Sequence, residues 1–126
     1  MKAEDAVGFD LKGQEGRMSR ITQSNGRIFV RPERNVISST AEVFRQELLQ
    51  IVTDNNLELV IDLANVKTID SVGLGVFIAT FNTLKKKDKK LQVINASPKI
   101  HSLFKTMGLT RRFRVQGKDP GSGRKA

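Results

Sequence analysis

Leu57 to Leu63 reads LELVIDL, a seven-residue run that is almost continuously apolar. Such a run is too short for a buried helix, and it lacks the alternation of a strand with one wet face. It therefore predicts a strand covered on both sides, the situation of a parallel sheet carrying helices. Its neighbours agree. Ile21-Thr22-Gln23 and Arg27 to Val30 flank Ser24-Asn25-Gly26, and Asn-Gly between apolar runs predicts a hairpin whose type I′ turn needs positive φ at both central residues. Pro32 then ends the second strand or places it at an edge.

Three helical stripes separate the strands that follow. Ala41, Phe44, Leu48, Ile51 and Val52 mark the first, opened by a capping box of Ser39 with Glu42 and stopped by Asn55-Asn56. Leu74, Phe77, Ile78, Phe81 and Leu84 mark the second, which starts at the cap-forming pair Asp70-Ser71. Leu91 to Ile94 is the next strand. Ser97 and Pro98 open a third helix with the stripe Ile100, Leu103, Phe104 and Met107, and Gly108 stops it. Phe113 to Val115 forms an optional closing strand. The reading is α/β, with a mixed sheet of about four to five strands in the order β-β-α-β-α-β-α(-β). An antiparallel N-terminal hairpin joins parallel strands linked by right-handed crossovers, and the helices pack on the sheet. Residues 1–17 are expected to be a flexible leader, 18–116 the single domain, and 117–126 a disordered basic tail.

Composition narrows the function. The 126 residues include no cysteine and one histidine, His101, which excludes thiolate chemistry, Cys-based metal sites and a multi-histidine site. No apolar run reaches membrane-spanning length, and no secretory h-region opens the chain. The expectation is a soluble cytoplasmic protein without metal or cofactor. The net charge of +9 is local: five lysines lie within Lys85 to Lys90, and six basic residues follow from Arg111 onward. A solvated helix end and a solvated tail are the favoured reading, and a patch for nucleic acid or another acidic partner is the less favoured alternative. Nucleic acid is not expected as a partner, since no aromatic residues interleave the lysines and Trp and Tyr are absent.

Ile69-Asp70-Ser71-Val72-Gly73-Leu74-Gly75 is the most informative stretch. Two glycines in one helical turn each cost about 1 kcal/mol against alanine, which predicts close approach, either of that turn to the sheet or of another molecule to the helix. A dinucleotide loop fails at Ile78, and a nucleophile elbow fails because Ile69 replaces its first glycine. His101 is the sole candidate base, so an enzyme is not expected. The Ser71 hydroxyl reads either as an ordinary N-cap or as a phosphorylation switch. A phosphoryl group at a helix start meets a favourable dipole yet transforms the outer surface.

The D-S-x-G-L-G motif at Asp70 to Gly75, the LVID run at Leu59 to Asp62, Thr40-Ala41-Glu42, and Ala96 to Leu109 (ASPKIHSLFKTMGL) together resemble the STAS domain proteins. Among these the chain is similar to the single-domain anti-sigma factor antagonists of bacteria, over Arg20 to Val115. The resemblance implies a STAS-like domain that acts by partner switching. Its unphosphorylated form binds an anti-sigma factor that is also a serine kinase, releasing a sigma factor, and a metal-dependent serine phosphatase restores that form. It implies Ser71 as phosphoacceptor. Asp70, Val72, Gly73, Leu74 and Gly75 would form the docking surface, with the loop Val36 to Thr40, above all Ile37, Ser38, Ser39 and Thr40, as a second contact. Free monomers are the expectation. Three features depart from the family pattern: Ile37 where an acid is frequent, Val72 where a small or hydroxylated residue is frequent, and the strong basicity. They keep open a STAS module serving a different kinase or phosphatase complex.

Overall fold

The computed structural model describes residues 17–118 except Asn55 and Asn56. The strands are β1 (Ser19–Ser24), β2 (Arg27–Pro32), β3 (Glu58–Asp62), β4 (Leu91–Ala96) and β5 (Arg114–Gly117). The helices are α1 (Ala41–Asp54), α2 (Ser71–Lys86) and α3 (Pro98–Thr106), with a 3₁₀ turn at Leu109–Arg111 before β5. One five-stranded sheet runs β1-β2-β3-β4-β5, antiparallel between β1 and β2 and parallel thereafter.

Local chemistry accounts for most boundaries. Asn25 and Gly26 take φ of 53° and 79°, the left-handed values that the hairpin turn demands. Ser97 accepts the Ile100 N–H, Pro98 occupies the first helical position, and Gly108 leaves α3 at φ 76°. Pro32 ends β2, which lies inside the sheet with β1 on its outer side. Three expectations are corrected. The Ser39–Glu42 capping box does not form: α1 starts at Ala41, the Thr40 hydroxyl donates to Asn35 O (2.6 Å), and Glu42 turns to Arg45 (2.9 Å) and Gln46 (2.9 Å). Those partners, Arg45 first, hold the Glu42 carboxyl down at about 2. Met107 is exposed, because α3 ends one residue before it. β5 begins at Arg114 and runs through Gly117, and Lys118 N–H still bonds Ala96 O at 3.0 Å, so pairing extends into the stretch read as tail. The expected stop at Asn55-Asn56, the leader through residue 16 and the tail beyond 118 lie outside the described residues.

Register divides the sheet into two faces. Ile21, Val30, Ile61 and Val93 pair across the strands and are all buried in the main core, as are Ile28, Leu59 and Leu91 beside them. The opposite lateral row is Thr22, Phe29, Val60, Gln92 and Arg114. Phe44 of α1, Phe77 of α2 and Phe104 of α3 meet in sequence, with ring centroids 5.8 and 5.2 Å apart, and each is fully buried. One side chain from each helix thus meets in a single aromatic row, placing the three helices together on the apolar face. The carboxyl ends of β2 and β3 open toward the segments that enter α1 and α2, the usual location of a site in such a sheet.

Candidate functional site

Two loops meet at those carboxyl ends, 33–40 before α1 and 63–70 before α2. Asp62, at the end of β3, fixes the exit of the second. Its carboxylate accepts the Ala64 N–H (3.0 Å) and the Asn95 side-chain amide (2.9 Å) and lies 3.4 Å from Arg31. The loops are then joined by a short parallel ladder. Val36 N–H donates to Thr68 O (3.2 Å), Asp70 N–H donates to Val36 O (3.3 Å), and Val36 bridges Ile69. The Asn35 amide oxygen accepts from both Lys67 N–H (2.8 Å) and Thr68 N–H (3.1 Å).

Asp70 completes the junction with both carboxylate oxygens. Oδ1 accepts the Gly73 N–H at 2.9 Å, capping α2, and Oδ2 accepts the Ser38 N–H at 2.8 Å, tying the first loop to the helix start. The Gly73 N–H, helped by that of Ser38, pulls the Asp70 carboxyl below its ordinary range, so it is ionised at neutral pH. Asp70 therefore does the capping, and Ser71 is the first helical residue. Ser71 is exposed, and its hydroxyl has no hydrogen-bond partner among the described residues. The sequence left Asp70 and Ser71 equal as caps; the geometry separates them.

The glycines also separate. A Cβ on Gly73 would lie 2.0 Å from Val36 O, so this glycine serves the packing of α2 against the first loop. A Cβ on Gly75 would meet nothing within 4 Å, and Gly75 faces outward. Leu74 is a core residue at 4% exposure and Gly73 is buried. Thr40 is also buried, its hydroxyl accepting the Ile37 N–H (3.1 Å) while donating to Asn35 O. Ile37 is half-buried. What remains outward is Ser38, Ser39, Ser71, Val72 and Gly75, with Val72 51% exposed.

His101 lies elsewhere, lining a shallow depression with residues 110–115. No group of three or more His, Cys, Asp or Glu residues able to hold a metal occurs among the described residues. No described helix is long and apolar enough to cross a membrane. Asn35 escaped sequence reasoning. An Asn ahead of a helix can bond backbone N–H groups, but nothing local shows that its partners sit more than thirty residues away.

Comparison with known proteins adds lineage to this geometry. The anti-sigma-B factor antagonist of Staphylococcus aureus is 36% identical over 67 residues, which make up 50% of this chain and 62% of that protein. The chain thus spans under two thirds of that relative. The anti-sigma-B factor antagonist of Bacillus subtilis is 34% identical over 82 residues, 65% of this chain and 74% of that protein. A solved anti-sigma factor antagonist from Mycobacterium paratuberculosis superposes with a TM-score of 0.70 at 26% identity, covering 78% of this chain and 83% of that one. The sequence pattern of the STAS domain matches residues 19–118, from the first residue of β1 to one past β5, with the paired loops and the start of α2 inside it. On that match and this fold, the chain belongs to the STAS domain family.

Proposed function

We propose that this protein is an anti-sigma factor antagonist that works by partner switching, with Ser71 as its switch. The unphosphorylated form binds an anti-sigma factor that is also a serine kinase and so releases a sigma factor. In the transfer, the Ser71 oxygen bonds the γ-phosphorus of ATP, the bond to the ADP oxygen breaks, and the hydroxyl proton leaves with the kinase's base. A metal-dependent phosphatase returns the hydroxyl by hydrolysis. The protein acts in the cytoplasm as a monomer when free and contributes no catalysis of its own.

One observation carries this reading: Ser71 stands exposed and unbonded at the start of α2, while Asp70 holds the cap. The hydroxyl is free to react without unmaking the helix. A phosphate there gains from the helix dipole, so the fold tolerates it. The partner does not. The phosphate adds about −1.5 to −2 charges beside the ionised Asp70 and the apolar Val72, and burying it unpaired against a kinase costs several kcal/mol. A penalty of ~4 kcal/mol weakens binding about a thousandfold.

The test is a calorimetric titration of the kinase with wild type, Ser71→Ala and Ser71→Glu. Wild type and Ser71→Ala are expected to bind, with only wild type accepting one phosphate from ATP, and Ser71→Glu is expected to lose affinity. Equal affinity of Ser71→Glu and wild type would refute the switch. A second reading, a STAS module for another regulatory complex, is favoured by the rim itself. With Ile37 half-buried and the Asp70 oxygens engaged internally, the exposed rim presents no outward acid, and affinity capture with wild type against Ser71→Glu identifies the partner.

A further inference from the structure

The two basic segments that are separate in sequence converge at the pole opposite Ser71. The last turn of α2 and the residues after it contribute Lys85, Lys89 and Lys90 to one wall of a cleft of about 870 Å³. Arg111, Arg112 and Arg114, from the 3₁₀ turn and the start of β5, form the other wall, and Arg27 closes one end. Against these seven cations the lining holds two carboxylates, Glu58 and Asp88. None of the seven forms an ion pair with any described residue. Six are exposed and Lys89 is half-buried.

The geometry points to a cleft for a single-stranded nucleic acid, held by its phosphates. Concentrated, unpaired positive charge repels itself, and an external polyanion relieves that repulsion. The chemistry of the lining separates the kinds of polyanion. Protein partners are anchored by aromatic and aliphatic groups at a desolvated centre, where lysine is depleted. Here Leu59, Leu91 and Phe113 are turned into the core, and the half-buried Phe81 carries the Lys85 ammonium 5.9 Å from its ring centroid. No apolar anchor is left for an acidic peptide. A phosphodiester strand needs none, because counterion release supplies its affinity. The same occupied ring means that bases do not stack, so binding is indifferent to sequence. Two walls around a concave floor favour a flexible strand over a stiff duplex.

The test is fluorescence anisotropy of the full 126-residue chain with a labelled single strand of 15 nucleotides. A duplex of the same length and a 15-residue polyglutamate serve as competitors. With about five phosphates neutralised, the log–log salt slope is ~−3.5, or about a 100-fold loss of affinity between 50 and 200 mM salt. Lys89→Gln with Lys90→Gln, and separately Arg112→Gln with Arg114→Gln, should each make the slope shallower by ~1.4. Melting curves confirm that each pair folds, and the opposite walls make the two pairs independent. Ser71→Glu is expected to bind the strand like wild type. The proposal is overturned if neither pair changes affinity or slope, if the duplex binds as tightly as the single strand, or if polyglutamate displaces the strand at equal charge.

Discussion

Replacing Gly73 by alanine puts a methyl group 2.0 Å from Val36 O, 2.8 Å from Val36 C and 2.9 Å from its Cγ1. Tolerable carbon–oxygen contact begins near 3.3 Å, so the carbonyl must retreat by about 1 Å. That carbonyl accepts the Asp70 N–H, and the Val36 N–H donates to Thr68 O, so both rungs between the loops are stretched or lost. Each is worth about 0.5–1.5 kcal/mol, and overpacking a fully buried neighbour adds about 1–3 kcal/mol. The better helix propensity of alanine returns about 1 kcal/mol. The net destabilisation is about 1–5 kcal/mol, centred near ~3 kcal/mol. At about 4–8 °C per kcal/mol for a domain of this size, the central value lowers Tm by roughly 12–24 °C. Gly75→Ala is the matched control: its methyl meets nothing, so it should raise stability by about 0.5–1 kcal/mol. Urea denaturation with a constant m-value gives both numbers on one scale. If Gly73→Ala is as stable as Gly75→Ala, the close approach of α2 to Val36 is not what holds the loops together.

Ser71→Ala is expected to leave stability within about 0.5 kcal/mol of wild type, because Asp70 supplies the cap; a loss near 1 kcal/mol in urea titration would return that role to Ser71. Asp70→Asn should lower Tm at neutral pH, since an amide presents one acceptor where the carboxylate uses two oxygens. The Asp70 carboxyl titrates below its unfolded value, so its stabilisation is present above the ordinary carboxylate range and fades as pH falls through the depressed value. Melts across that acid range should show a smaller pH dependence in the variant. Phe77→Ala removes the middle of the aromatic row and is expected to destabilise by about 3–5 kcal/mol, read as loss of the cooperative transition at 37 °C or a greatly lowered urea midpoint.

What was legible in the sequence depended on how far apart the interacting residues lie. Asn25-Gly26, Ser97-Pro98 and Gly108 are governed by φ or by a cap within three residues, and each takes its expected conformation. The double-sided burial of Leu59, Val60 and Ile61 follows from the apolar run alone. Ser39 and Glu42 had the right spacing for a box, but Arg45 and Gln46 sit one turn further along α1 and compete better for the same carboxylate. Which glycine serves the inside could not be read from D-S-x-G-L-G, because both lie in one turn; only the position of Val36, from another loop, decides it. The same holds for Leu74, whose 3.6-residue stripe places it in the core while the motif reading placed it outside. The convergence of the two basic segments was hidden for the converse reason. Lys85 to Lys90 and Arg111 to Arg114 are distant in the chain, and the β4–α3–β5 connection brings them to one cleft.

The two surfaces sit on one helix, and its length governs whether they communicate. Ser71 opens α2 and Lys85 lies fourteen residues on, a separation of about 21 Å at 1.5 Å per residue. The Debye length at physiological ionic strength is about 8 Å, so a phosphate on Ser71 is largely screened at the cleft. A conformational route is equally closed. The paired loops are tied by Asn35, Val36 and Asp70, and under the proposed switch the phosphate would sit on a hydroxyl that none of these bonds uses. On that reading the rim would keep its shape on modification, which would keep the ordering cost of partner binding small. Switching of the kind proposed would then rest on charge at the contact itself, and a strand bound in the cleft at the far end of α2 should stay bound whichever partner meets Ser71.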